Sequence, residues 1–313
     1  MQFLRDKTNI DFLSRTRRNL AVGFSVLLVV VSIGSFATRG LNLGIDFTGG
    51  VLLQVRYPAE ADLTDIRSKL DDAGFERYVV QAFGTPTDVL VRLPPQVGED
   101  SSAIRNRLFG VLSGGDSRVE LERVELVSAQ VGEELTEQGG LALIFALMMI
   151  FIYVMFRFQW KFAMGAVAAL AHDVIVTIGF FSLTGISFDL SVVAAVLAVI
   201  GYSLNDTVVA FDRIRENFTK LRGVGSEESM NISINEMLAR TIITGMTTLL
   251  VLVALLVLGG ESVGPFSIAL IVGIIVGTYS SIYTASATAL MLDVNAKDLL
   301  PPEIDPELVD DLP

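Results

Sequence analysis

The chain has 313 residues, no cysteine, a formal charge of −12 and a mean hydropathy of +0.58. Such apolar content excludes an ordinary soluble domain, the missing thiols exclude disulfides and thiolate metal sites, and an acidic balance without a basic patch excludes nucleic acid as a partner. Runs of 18 or more mostly apolar residues read as membrane spans, and their continuity, without alternation, selects helices over a barrel.

Residues 1–19 are basic, with Arg5, Lys7, Arg15, Arg17 and Arg18. The first apolar run, 20–38, is longer than the core of a secretory signal and is followed by Arg39-Gly40-Leu41, so it reads as a retained helix. Residues 39–138 form one loop domain. Its first segment, Gly44-Ile45-Asp46-Phe47-Thr48-Gly49-Gly50, reads either as a turn with Asp46 bonded to its own backbone or as a coupling joint between membrane and loop domain. No Gly-Lys-Ser/Thr ends it, so it is not a phosphate loop.

Beyond that joint, 51–57 reads as a strand ended by Pro58. Residues 63–73 read as a helix with Asp62 as N-cap and Gly74 as stop. Residues 78–83 and 89–93 read as strands around a turn at 84–88, 102–112 as a helix, and 120–131 as a last strand. The β-α-β-β-α-β order predicts an α+β, ferredoxin-like domain. The fold class is therefore an α-helical multi-pass membrane protein of six transmembrane helices with one such extracytoplasmic domain.

The remaining spans are 139–156, 163–183, 190–211, 241–258 and 265–290, within a membrane region of 139–292. The acidic residues 293–313 form a tail. Arg157 and Lys161, then Arg213, Arg215, Lys220 and Arg222, fall in the connections that an inside N-terminus makes cytoplasmic, whereas 184–189 and 259–264 hold no Lys or Arg. Both termini are therefore expected in the cytoplasm, with Trp160 at a membrane edge.

Ionisable groups inside the spans are the candidate functional residues. An Asp at a helix centre in lipid costs roughly 2.5–3.5 kcal/mol, so it needs a partner or a task. Asp206 shares a helix face with Ser203 and Thr207, next to Asn205. Arg240 opens the fifth span at matching depth, and Thr244 continues its face, so Asp206 and Arg240 are expected to be partners. A carboxyl balanced between apolar surroundings and a guanidinium could change protonation as helices shift. The alternatives are a static ion pair, or Arg240 snorkelling to the headgroups. His172, the sole histidine, and Asp173 lie mid-span and offer relay steps or a hydrogen-bonded tie between spans three and four. One histidine and no cysteine make a zinc site improbable, and no G-x-S-x-G context suits a hydrolase. In span six, Gly273, Gly277 and Ser281 belong to a ladder of small residues that lets helices pack closely.

These motifs resemble those of the SecF family of the bacterial protein-export machinery, over about residues 8–292. The segment at 44–50, Ala171-His172-Asp173-Val174, the run from Ile200 to Asn217 and Arg240-Thr241-Ile242-Ile243-Thr244 carry the resemblance. It implies a SecD partner, the SecYEG channel, a translocating preprotein and no cofactor. It also implies proton flow at Asp206 and Arg240, a periplasmic loop domain in the bacterial inner membrane, and kinship with resistance-nodulation-division transporters. The expected function is proton-driven assistance to preprotein export, not bond-making catalysis. A proton-coupled antiporter and a passive assembly scaffold are the rival readings.

Overall fold

The computed structural model describes residues 9–95, 101–221 and 223–295. The expectations placed on Arg5, Lys7, Arg222 and the tail beyond 295 lie outside them. In chain order, α1 (Arg15–Arg39) leads to a single turn, α2 (Ile45–Thr48). The loop domain follows: β1 (Gly50–Arg56), α3 (Leu63–Asp72), β2 (Val79–Phe83), β3 (Thr85–Leu93), α4 (Ser101–Ser113) and β4 (Glu120–Val127). Then come α5 (Ala129–Arg157), α6 (Trp160–Thr184), α7 (Leu190–Lys220), α8 (Ser226–Leu258), α9 (Gly264–Ile282) and α10 (Thr284–Met291). Six helices of the described residues are long and apolar enough to cross a membrane, with α9 and α10 together forming the sixth.

The loop domain has the element order read from the sequence. Its sheet runs β2-β3-β1-β4, with each neighbouring pair antiparallel. Val51, Leu53 and Val55 alternate onto one face and pack against Ile66 and Leu70 of α3 and Ile104, Leu108 and Leu112 of α4. Asp62 caps α3 as expected, accepting from the backbone N–H groups of Thr64 and Asp65. β3 is buried on both faces from Asp88 to Leu93, because its second face lies over the membrane helices.

Several boundaries differ from expectation: β3 begins at Thr85, inside the stretch read as a turn, α7 continues past 211 to Lys220, and α8 starts at Ser226, well before 241. The last strand stops at Val127, not 131, because Ser128 accepts from Val131 N–H and starts α5 there. The polar first turns of α5 therefore stand between the sheet and the apolar run. The sixth span is also broken, at Tyr283, between α9 and α10.

α6 is the central helix: 61% of its apolar window is buried, against 6% for α5. Its small residues Ala163, Ala166 and Ala169 let neighbours approach closely. The α7–α9 seam rests on glycine. A Cβ on Gly273 would stand 2.2 Å from Val199 Cγ2, and one on Gly277 would stand 3.0 Å from Ser203 Cβ. The packing role expected of Gly273 and Gly277 thus has a specific counterface. Ser281, also buried, donates to the Thr278 carbonyl of its own helix.

Candidate functional site: a buried carboxyl cluster and the joint above it

Asp173 has no solvent exposure and binds groups from three helices. Ser203 Oγ on α7 donates to its Oδ2 at 2.5 Å, and Ser280 Oγ on α9 donates to the same oxygen at 2.8 Å. Its Oδ1 lies 3.0 Å from His172 Nδ1. Hydroxyls at lipid depth have no water to turn to, so this convergence holds α6, α7 and α9 in one register. Ser280 was not anticipated. It falls on the small-residue helix, where only the cross-helix geometry separates it from packing serines.

Asp206 lies less than one turn below Ser203 on α7, and its carboxyl is buried with Oδ2 lacking any hydrogen-bond partner. Arg240 on α8 acts on it electrostatically, yet no Asp206–Arg240 ion pair forms among the described residues. The expected contact pair is corrected to a separated pair. Arg240 is exposed and lines a cleft of about 370 Å³ with Asp212, Arg213 and Glu236. Matching depth along two helices does not fix which side chains meet, and Arg240 lies in the cleft that α8 forms with the Val209, Asp212, Arg213 and Glu216 stretch of α7, beyond Asp206. Thr207 is buried beside Asp206, and its hydroxyl also lacks a partner.

Two expected supports sit elsewhere. Asn205 is exposed, because its position turns it off the face that holds Ser203 and Asp206. Thr244 is exposed too, and it donates back to the Arg240 and Thr241 carbonyls of its own helix. No group of three or more metal-ligating His, Asp or Glu side chains occurs among the described residues.

The outer joint is built on α2. Asp46 Oδ2 accepts from the backbone N–H of Leu190, the first residue of α7, at 2.9 Å. Of the two readings of Asp46, the turn bonded to its own backbone does not describe this contact, which caps a different span. Asp189 Oδ1 accepts from Val192 N–H, so two carboxylates stand at the α7 N-terminus, where the helix dipole favours them. Gly49 and Gly50 have φ of +69° and +120°. A Cβ on Gly50 would meet the Leu93 carbonyl oxygen at 2.2 Å, and one on Gly49 would meet Ala129 Cα at 2.8 Å. The two glycines let the joint press between β3 and the start of α5.

Arg92, on β3, locks the sheet to this joint. Its guanidinium donates to Asn42 Oδ1, the Leu43 carbonyl and Ser187 Oγ at 3.1, 3.0 and 2.7 Å. Burial pushes it below its ordinary value, opposed by Asp189 and Asp46. The signal for Arg92 was present: an arginine alternating outward in the otherwise apolar strand end 89–93.

The fold and site together define a polytopic membrane protein with carboxyl groups held between its spans and an outer α+β domain clamped to the head of the span that carries one of them. Residues 111–295 match the family described as protein export membrane protein SecD/SecF, C-terminal, and residues 34–57 match the SecD/SecF GG motif. The chain belongs to this family. It is 49% identical to the protein translocase subunit SecF of Pseudomonas aeruginosa, covering 95% of this chain and 96% of that protein. It is 46% identical to that of Vibrio alginolyticus, covering 98% and 97%. It superposes on the crystal structure of SecDF, a translocon-associated membrane protein from Thermus thermophilus, with a TM-score of 0.82 at 36% identity. The match covers 94% of this chain but 40% of that longer one. A second structure, SecDF in a super-membrane-facing form, matches with a TM-score of 0.69.

Proposed function

We propose that this protein is an accessory subunit of Sec-dependent protein translocation, driven by protons and working without bond-making catalysis. The observation that carries the reading is the Asp206 carboxyl: buried at lipid depth, with one oxygen that has no hydrogen-bond partner among the described residues and a guanidinium on the neighbouring span that acts on it electrostatically. Either a proton or Arg240 can satisfy that oxygen, so it has two competing solutions in two helix arrangements. Asp173 supplies a second carboxyl one turn further along, on the central helix. The joint at Asp46 and Arg92 connects movement of α7 to the outer sheet.

The resemblance to SecF relatives supports a SecD-type partner, and the longer SecDF chain supports a pair in which a second half packs beside this one. The lipid-facing side of α8, with Met246, Leu250, Val251 and Val257 exposed, is where such a half would seat. In this reading the protein sits in the bacterial inner membrane with both termini cytoplasmic, and the pair acts at the SecYEG channel on a translocating preprotein. Proton binding at Asp206 removes the charge that attracts Arg240, α7 and α8 repack, and the outer domain moves. A 100 mV potential supplies about 2.3 kcal/mol per charge, enough to bias two helix arrangements by about fifty-fold.

The test is proton conductance of the subunit pair in sealed vesicles, wild type against Asp206→Asn and Arg240→Met, beside export with and without a protonophore. Both variants are expected to assemble with the partner and to lose conductance and protonophore-sensitive export. Unchanged export in Asp206→Asn would leave only the assembly scaffold. Conductance that depends on a small-molecule substrate would favour the antiporter.

A further inference from the structure

A groove of about 350 Å³ runs between α1, α6 and α10. Val22, Val26 and Val30 form its α1 wall, Ala168 and Ala171 its α6 wall, and Met291 stands on the α10 side. Val26, Val30 and Met291 are exposed apolar side chains, so the groove opens to the surroundings of the bundle, which at this depth are lipid. The hydroxyls in its walls are spent within the protein. Ser25 Oγ lies 3.1 Å from Thr284 Oγ1 and 3.2 Å from Tyr279 OH, and Thr288 Oγ1 donates to the Thr284 carbonyl at 2.7 Å. His172 is buried, so little of its ring meets the groove. An apolar occupant therefore displaces no hydrogen bond. Val22 to Val30 is about 12 Å of helix, close to the roughly 15 Å of hydrocarbon in one leaflet.

Positive charge frames one end. Arg15 and Arg18 continue the α1 stripe of Val22 and Val26 at helical spacing. Trp160, Lys161 and Met164 likewise continue the α6 stripe of Ala168 and Ala171. The two helix starts stand together, because Phe12 and Leu13, just ahead of α1, share a core with Phe162 and Ala163. Arg18 pairs with Glu227 at 2.9 Å, and Lys161 donates to the Asp293 carbonyl at 2.9 Å. Asp11 accepts from the Ser14 N–H. The Arg15 guanidinium is exposed and pairs with none of the described residues. It stands at the headgroup level of the apolar groove, and a basic pocket between spans at that level suits a lipid phosphate. Trp160, exposed on the α6 side, has the amphipathic ring that settles at the same level.

We infer that the groove is a binding site for an anionic phospholipid. One acyl chain lies along Ala168 and Ala171 between α1 and α6, and the phosphate stands at Arg15. The lipid fastens α1, only 17% buried in its apolar window, to the central helix. The site is independent of the proton-driven reading, and neither needs the other.

Trp160 is the sole tryptophan of the chain, so its fluorescence reports the mouth of the groove. The full chain is reconstituted in phosphatidylcholine vesicles that carry an equal, small fraction of dibrominated phosphatidylglycerol or of dibrominated phosphatidylcholine, and quenching is compared. The brominated phosphatidylglycerol is expected to associate about fivefold more strongly, the effect of one cation near a membrane surface. Arg15→Gln is expected to bring the two lipids to parity. Ala171→Leu fills the groove from an exposed position and is expected to remove the preference with Arg15 intact. Equal quenching in the wild-type chain would leave an unselective lipid annulus. A preference that survives either substitution would place the attraction outside the groove. A preference that vanishes when a tryptophan-free SecD-type partner is co-reconstituted would give the groove to the partner. Each of these three results overturns the proposal.

Discussion

The Asp46 carboxylate accepts a hydrogen bond from Leu190 N–H, so a residue of the outer joint caps the helix that carries Asp206. The two lie 144 residues apart in sequence. Asp46→Ala is expected to cost about 1 kcal/mol of stability, the usual loss for an N-terminal cap, and to reduce export more than it reduces folding. Asp46→Asn retains an acceptor and should recover most of the stability. Export and thermal melting measured on the same preparations check this. Equal losses in both would reduce the joint to a structural cap.

Asp173 gathers hydroxyls from two other helices. Ser203→Ala and Ser280→Ala are each expected to destabilise by about 1 kcal/mol, since each removes one hydrogen bond to a shared acceptor. The double variant should be non-additive, because the two donors meet at one oxygen. Unfolding of the four proteins in detergent gives the cycle. Strict additivity would argue against a shared site.

The α7–α9 seam allows a rescue experiment. Gly273→Ala places a methyl against Val199 and is expected to destabilise by about 1–3 kcal/mol through overpacking. Val199→Ala in the same chain removes the opposing methyls and should restore most of the loss. Failure of the second change to help would mean that the seam relaxes by backbone movement instead.

Arg92→Met removes three buried donations from the guanidinium and is expected to loosen the outer sheet from the 184–189 loop. A loss of about 1.5–3 kcal/mol follows from the charged hydrogen bonds involved. Hydrogen exchange should rise at residues 42–44 and 187–190, and hardly at all in α3 and α4. A uniform rise across the domain would point to general unfolding.

Acid should affect the outer sheet through Asp88. Hydrogen bonding from Arg56, at 2.8 Å, holds its carboxyl below the usual value. A lowered folded value means that the pair's contribution is fully present above about pH 4 and fades as pH falls through the folded value. With Arg56 half in solvent, water screens the pair and the contribution is small. Asp88→Asn should flatten that part of the pH–stability curve, and a curve that keeps its slope would assign the acid loss to other groups.

The spans and the domain order were legible because each rests on a local signal: continuous apolar runs, alternation in 51–57, the Asp62 cap. The start of α5 was obscured because 129–138 is polar and follows an acidic strand, although Ser128 was a readable cap. Asp173 and Ser203 were both recognised as intramembrane polar groups, but Ser203 was assigned to Asp206 on its own helix. Neighbours along one helix are visible in sequence. Neighbours across helices depend on rotation about each axis, which small residues such as Gly277 decide. The same ambiguity separated Arg240 from its expected contact.

The 31 residues of α7 form one unbroken rod of about 46 Å. Asp206 sits about 24 Å along it from the end gripped by Asp46. A tilt of only about 5° at the acid would swing that far end by about 2 Å, comparable to a hydrogen-bond length. Small rearrangements around one side chain are therefore geared up before they reach the sheet, and loosening either fastening would leave the rod turning without a load.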